Sequence, residues 1–530
     1  MLLARLRMAA AAAALAAASA AAASTQGATD PARAALAAES VGLGPAAAVY
    51  EARGHAPIWL AGDGAAARTL IATLREAESH GLPTARYAPE RLAAMVAEGG
   101  GPEAEIALSR AFLLYARDVS SGLLDPRGAV RNTWREPLRR DPAALLGGAA
   151  DASDLAAFLA ALPPQDPEYD RLRALYAELR DGENAGRWSP ALGRGPTLRE
   201  GDSGSQVAAL RARLRALGDL DAAPAAAPEL FDAALADAVR GFQRRHGLNQ
   251  DAAVGPRTRA ALDAEPGWRV TQAAINLERL RWMNRPLGGR RVVVNQADFT
   301  VTLSENGRVL FRERVVIGTP RDQTVEFSDE MEYLVLNPTW HVPRSIATEE
   351  LLPQLREDPA LLARRNMRLT RSDGGPVPLD PSSHDFSDYT AADFPYRIRQ
   401  RPSAGNALGR VKFMFPNDFA IYLHDTPSKH LFKRDRRAYS HGCVRVQDPL
   451  RLAEALLAPQ MDDPRGFIDR VLAAGKERYV NLAEHVPVHL VYRTAWVDAE
   501  GRAQFRSDVY GRDRDAARAL RAAGVALPES

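Results

Sequence analysis

Hydrophobic periodicity changes once along this chain, and the change limits what the chain can become. Before about residue 262, apolar residues recur at three- and four-residue steps, as in "ARTLIATLREAESHGL", "EIALSRAFLLYARDVSSG" and "YDRLRALYAEL". That spacing gives a helix one apolar face. From Arg290, "RRVVVNQADFTVTLSENGRVLFRERVVIGT" alternates apolar and polar residues in two runs about Glu305-Asn306-Gly307, the period of two strands joined by a tight turn. Further strand-like pieces follow at "EYLVLNPTWHVP", "RVKFMFPN", "FAIYLHDT" and "CVRVQ". The two periods cannot share one layer, and 530 residues exceed the roughly 100–200 that one domain usually holds. The chain therefore reads as multidomain α+β: a helical scaffold domain over 49–190, a small three-helix domain over 197–264, a mostly-β domain over 290–474, and a C-terminal tail of helix and short strands over 475–530. Residues 348–406, helical and then rich in Pro, Ser and Asp, read as a segment inserted between strands of one sheet.

The start, "MLLARLRMAAAAAALAAASAAAAS", has Arg5 and Arg7, then small apolar residues and Ala-x-Ala sites. This predicts a signal peptide over 1–23 and export; the alternative is an uncleaved anchor, since about 20 apolar residues span a bilayer. Lys+Arg 68 against Asp+Glu 66 gives a net charge of +2, scattered along the chain, which gives no support to nucleic acid as a partner. Export matters because Cys443 is the sole cysteine. It has no partner for an intrachain disulfide, so it is an incidental thiol or a working one.

Cys443 lies in "AYSHGCVRV". A nucleophilic thiol needs a base and donors for an oxyanion, and two histidines compete as base. If "CVRV" is a strand, Cys443 and Arg445 face one way and Val444 the other. His441 precedes Gly442, which more plausibly marks a turn. Pairing "IYLH" beside "CVRV" would bring His424 across from Cys443 at about 5 Å, which favours His424. The amides of Gly442 and Cys443 can approach a substrate carbonyl, because glycine has no side chain in the way. Arg445, on the cysteine's face, reads as a binder of a substrate carboxylate. A metal site from His424, His441 and Cys443 is the lesser reading, and no metal or other cofactor is expected.

Two resemblances add to this. The segments "LREGDSGSQV", "FD...AVRGFQ...GL" and "VGPRTRAAL" resemble the three-helix peptidoglycan-binding domain of wall enzymes. His424, fifteen residues, then Ser440-His441-Gly442-Cys443-Val444-Arg445 resembles the signature of the L,D-transpeptidase (YkuD) catalytic domain. "NPTWHVPRSIATEELLP" and "YARDVSSGLLDP" are similar to stretches of the large Gram-negative, YcbB-like type. The resemblance implies Cys443 as nucleophile, His424 as general base, the Asp425 carbonyl orienting its imidazole, and Tyr422, Ser440, His441, Gly442 and Arg445 lining the acyl-donor pocket. It makes 348–406 a substrate-capping insert and implies a periplasmic enzyme acting on peptidoglycan stems and glycan. Cys443 would attack after the third residue of a tetrapeptide stem and release D-alanine. An amine of a neighbouring stem would then take the acyl group in a 3-3 crosslink; water as acceptor would make an L,D-carboxypeptidase. A wall-binding scaffold with secondary catalysis is the reading of another class. A monomer is expected, with other wall-synthesis enzymes as further partners.

Overall fold

The computed structural model describes residues 30–184, 191–221, 225–264, 266–371, 377, 382 and 384–528. The leader expected over 1–23 lies outside them. No helix among the described residues is long and apolar enough to cross a membrane. The chain divides into two compact units, one of Met1–Ser121 and Arg139–Pro164, the other of Gly122–Leu138 and Gln165–Ser530.

The first unit is helical. Its longest helix, Pro102–Ser121, carries the buried Glu105. This carboxylate accepts from the Tyr50 hydroxyl at 2.7 Å and from the backbone N–H groups of Ile58, Trp59 and Leu60 at 2.6, 3.0 and 2.9 Å. Those bonds offset the cost of taking a carboxylate out of water. Helix Pro167–Asn184, expected within the scaffold, belongs to the second unit instead. Tyr169, Leu172 and Tyr176 share a core with Val270, Ala273 and Leu277 of helix Pro266–Trp282. Periodicity shows that a helix has an apolar face; it does not show what covers that face.

In the second unit, helices Ser205–Ala216, Ala233–Arg245 and Pro256–Leu262 enclose Val207, Leu210, Leu214, Phe231, Val239 and Phe242. The β region is a nine-stranded mixed sheet. Its members are β1 (Arg290–Asn295), β2 (Thr300–Glu305), β3 (Arg308–Gly318), β4 (Phe327–Leu336), β8 (Val411–Met414), β9 (Leu423–His424), β10 (Ala438–Ser440), β11 (Val444–Val446) and β12 (Arg478–Val491). The order is β10-β3-β11-β9-β8-β4-β12-β1-β2, and β2 also pairs with β3, so the strands form a closed ring with β10 attached. Closure leaves β9 and β11 fully flanked, which holds short strands in register. The first alternating run is two strands, not one, because the chain breaks at Gln296–Phe299. Between β2 and β3, Asn306 and Gly307 have φ of +48° and +83°, the turn that suits a twisted hairpin.

The insert, β5 (Trp340–His341), β6 (Met367–Arg371) and β7 (Tyr396–Gln400), forms its own sheet in the order β5-β7-β6. It therefore begins nearer 340 than 348. Leu352, Leu355, Leu362, Phe394 and Ile398 give it a separate core. Buried Asn406 closes its neck, with Nδ2 donating to the carbonyls of Pro338, Gln400 and Arg401 at 3.1, 3.2 and 3.0 Å.

The separate tail expected over 475–530 is corrected by β12, which runs between β4 and β1 at the middle of the sheet. Its Val480, Leu482, Val486, Val488, Leu490 and Val491 are buried. At about 1.5–3 kcal/mol per buried aliphatic side chain, they rival the ~5–15 kcal/mol net stability of a domain. A chain ending at Ala474 should therefore lose the cooperative unfolding transition of the sheet. Circular dichroism melts of the truncated and full chains check this; an unchanged transition would mean that β12 is dispensable.

Candidate active site

The site rests on the pairing of β9 with β11, which is parallel, with Val444 opposite Leu423 and Arg445 opposite His424. Opposed residues share a face. Leu423, Val444 and Val446 accordingly point into the core, and Tyr422, His424, Cys443 and Arg445 occupy the other face. The register differs from the expected one by two residues, which keeps every side chain on its expected face. Arg445, not Cys443, lies across from His424, and extending that register sets Tyr422 across from Cys443, which leaves Cys443 and His424 at diagonal positions of the pairing.

The half-buried sulfur has three polar neighbours. The thiol donates to the Ala420 carbonyl at 3.6 Å, and the hydroxyl and backbone N–H of Tyr422 lie close enough to lower the thiol's pKa. Ala420 takes φ of +53°. Asn417 holds that loop by donating to the Phe415 and Ile421 carbonyls at 2.6 and 2.8 Å and accepting from the Phe419 and Ile421 N–H groups at 3.1 and 3.2 Å. His424 Nδ1 bonds the Asp425 carbonyl at 2.5 Å. A carbonyl only accepts, so Nδ1 carries the proton and Nε2 keeps its lone pair. Burial, and next the Arg445 charge, push the His424 pKa down to about 3. Burial raises that of Cys443, against the Tyr422 hydroxyl and N–H and the charge of Arg445. Burial disfavours both charged forms, so at neutral pH the pair is a neutral thiol and a neutral imidazole.

Asp425 turns its side chain away from the sulfur. Its carboxylate accepts from the N–H of Arg410 at 2.8 Å, the N–H of Thr426 at 2.7 Å and Lys429 Nζ at 2.6 Å. Lys429 also donates to the Gln447 carbonyl at 2.7 Å, tying the exits of β9 and β11 together. Gly409 allows this: a Cβ there would lie 2.3 Å from Asp425 Cγ.

The loop before the cysteine is held from both sides. Ser440 Oγ donates to the Cys443 carbonyl at 2.5 Å and accepts from Gly442 N–H at 3.3 Å. Gly442 N–H, expected as an oxyanion donor, is thus engaged by Ser440 in this state. Gly442 has φ of +108°, which favours glycine. Its carbonyl accepts from Thr324 Oγ1 at 2.7 Å, and the same hydroxyl accepts from Gly318 N–H at 3.0 Å. Tyr510, from the C-terminal segment, donates to the Gly318 carbonyl at 2.7 Å, and Arg512 Nη2 donates to the Thr324 carbonyl at 2.7 Å. His441 leaves the cysteine's side: its Nε2 lies 2.5 Å from Oε1 of Glu350, a residue of the insert. Arg445 Nε is buried without a hydrogen-bond partner. Sequence reasoning missed Ala420, Asn417, Thr324, Tyr510 and Glu350. Only Asn417, in the turn-like "FPNDF", gave a local signal.

Thr324→Val removes one hydroxyl and strands two buried backbone groups. The expected cost is about 1–3 kcal/mol of stability, with a larger relative loss of Cys443 reactivity because the Gly442 turn is freed. Denaturant unfolding and the rate of thiol alkylation measure the two; equal reactivity in the variant would remove Thr324 from the site.

Three segments of the chain match known families. Residues 289–471 match the family described as "L,D-transpeptidase catalytic domain", 203–262 the "Putative peptidoglycan binding domain" and 45–175 the "Scaffold domain". A "Putative L,D-transpeptidase" of Haemophilus influenzae is 35% identical over 246 residues, 46% of this chain and 49% of that protein. The "N-acetylmuramoyl-L-alanine amidase CwlM" of Mycobacterium tuberculosis is 44% identical over 81 residues, 14% of this chain and 20% of that one. The chain thus spans about half the length of the first relative and a fifth of the second. Among solved structures, an L,D-transpeptidase from Stackebrandtia nassauensis matches at 12% identity, covering 57% of this chain and 97% of that chain, with a TM-score of 0.21. The strands that carry Cys443 and His424 therefore belong to an L,D-transpeptidase (YkuD) catalytic domain, set in one chain with a scaffold domain and a peptidoglycan-binding domain.

Proposed function

We propose that the chain is an exported, periplasmic peptidoglycan L,D-transpeptidase that joins the third residues of two stem peptides. The observation that carries this is the shared face of Tyr422, His424, Cys443 and Arg445 on two strands whose opposite face is sealed in the core. His424 Nε2, its lone pair free, takes the thiol proton as Cys443 attacks the carbonyl of the third residue of a tetrapeptide stem. The sulfur–carbon bond forms, the amide C–N bond breaks, and His424 passes the proton to the departing D-alanine amine. The Cys443 N–H serves the oxyanion. Tyr422 holds the sulfur, and the Arg445 guanidinium binds a carboxylate of the donor stem. An amine of a second stem then displaces the thiol. The basic start and alanine-rich run of residues 1–23 supply the export signal in this reading.

Because the resting pair is neutral, the proton moves during attack instead of before it. This sets the pH behaviour. The depressed His424 pKa means that the base is not lost by protonation until about pH 3, so acylation by a soluble tetrapeptide stem should hold level from pH 7 to 5. Iodoacetamide alkylation of the free protein should instead rise with pH, through and above the ordinary thiol range near 8.5, since burial raises the thiol pKa. Alkylation that stays fast and flat down to pH 5 would reveal a preformed thiolate–imidazolium pair and refute the neutral state.

The reaction itself is tested by incubating purified disaccharide-tetrapeptides with the protein and reading products by mass spectrometry. A crosslinked dimer with loss of D-alanine is expected. Cys443→Ala should abolish it, and His424→Ala should cost about 10²–10⁴-fold, the usual worth of a general base. A product that persists in Cys443→Ala ends the proposal; a shortened stem without dimer makes water the acceptor.

A further inference from the structure

We infer that Glu350, on the insert, binds the ammonium group of the incoming acyl acceptor and so selects an amine over water; this rests on the transpeptidase reading above. Four observations meet at this residue. Glu350 lies in a π-helix, Ile346–Leu351, a rare winding that is frequent at functional sites. Ala347, Thr348 and Leu351 of that helix are buried, and Glu350 is left exposed beside the catalytic loop. Its Oε1 lies 2.5 Å from His441 Nε2, two residues before Cys443. Its charge reaches Arg445, whose buried Nε has no hydrogen-bond partner and which shares a face with the sulfur.

The neighbouring charges leave this role to Glu350. Arg445 and His441 can attract a carboxylate or donate a hydrogen bond, but neither attracts an ammonium. Glu349, the adjacent acid, is turned to Arg321 at 3.5 Å. Glu350 is therefore a carboxylate that touches the Ser-His-Gly-Cys loop and stays exposed to solvent. An acceptor R–NH3+ would sit against it and give up one proton to solvent. The free amine then attacks the thioester carbonyl: the N–C bond forms, the C–S bond breaks, and the amine's second proton passes through His424 to sulfur, restoring the thiol. Water carries no charge and gains nothing from Glu350, so the carboxylate raises the local concentration of the amine alone.

Glu350→Gln tests this with little structural change, because the amide oxygen still accepts from His441 while the charge is lost. The acyl-enzyme is formed from a soluble tetrapeptide, followed by intact-protein mass spectrometry, and partitioned between water and glycinamide; N-acetylglycinamide, which lacks the amine, is the control. In Glu350→Gln the amide-to-hydrolysis ratio at subsaturating glycinamide should fall about fivefold, the scale of one half-exposed charge pair. Acyl-enzyme formation should change less than that ratio, and Glu350→Asp should recover part of it. An unchanged ratio, or a loss of acylation that matches the fall in ratio, overturns the inference and leaves the transpeptidase reading standing. Failure of the wild-type protein to form any acyl-enzyme overturns the reading and the inference with it.

Discussion

The parallel pairing of β9 with β11 is the constraint on which the site depends. It spans only two residue pairs, too few to define a register by hydrogen bonds alone. The register is held because a one-step slip of β9 would turn Leu423, fully buried, out to solvent and carry His424 into the core. Burial of apolar side chains on one face thus positions the polar ones on the other. Lys429 adds a polar clamp at the exits, bonding the Asp425 carboxylate and the Gln447 carbonyl together.

That placement has an electrostatic consequence. Being seated on a flanked strand buries His424 and lowers its pKa, and the same burial raises that of the thiol. The two shifts separate the groups' charged forms from neutral pH in opposite directions. A neutral thiol is the less nucleophilic form, so in the proposed reaction the proton has to leave the sulfur as it attacks. Arg445, across from His424, acts in the same direction on the imidazole, since a neighbouring cation opposes its protonation.

Much of this was legible in the sequence, for identifiable reasons. Alternation in "IYLH" and "CVRV" depends on one strand at a time, so the shared face of Cys443 and Arg445 could be read without knowing the partner. Register depends on two strands and on the core beneath them, and there the expected pairing differs by two residues, with Cys443 set opposite His424 where Arg445 belongs. The helical pattern of Pro167–Asn184 was visible, but its packing partner lies about a hundred residues on. Thr324, Tyr510 and Glu350 left no local trace, because their roles come from contacts with Gly442, Gly318 and His441 across long stretches of chain. Asp425 shows the opposite case: as a side chain it serves the scaffold, and its backbone carbonyl is what meets His424.

The C-terminal segment shows how support and chemistry become joined in a closed sheet. β12 fills the gap between β4 and β1, and the chain that follows brings Tyr510 to Gly318 and Arg512 to Thr324. Thr324 then reaches the Gly442 carbonyl. A run of hydrogen bonds therefore leads from the end of the chain to the residue before the sulfur, with few intervening rotatable groups. The turn at Gly442 adopts a backbone conformation that costs most residues energy, and it persists because buried partners fix both of its carbonyl neighbours. Without these supports the loop that carries Cys443 would be free to relax at that turn. Because the supports come from a segment that follows the Ser-His-Gly-Cys run, the thiol is positioned only once the whole sheet has closed.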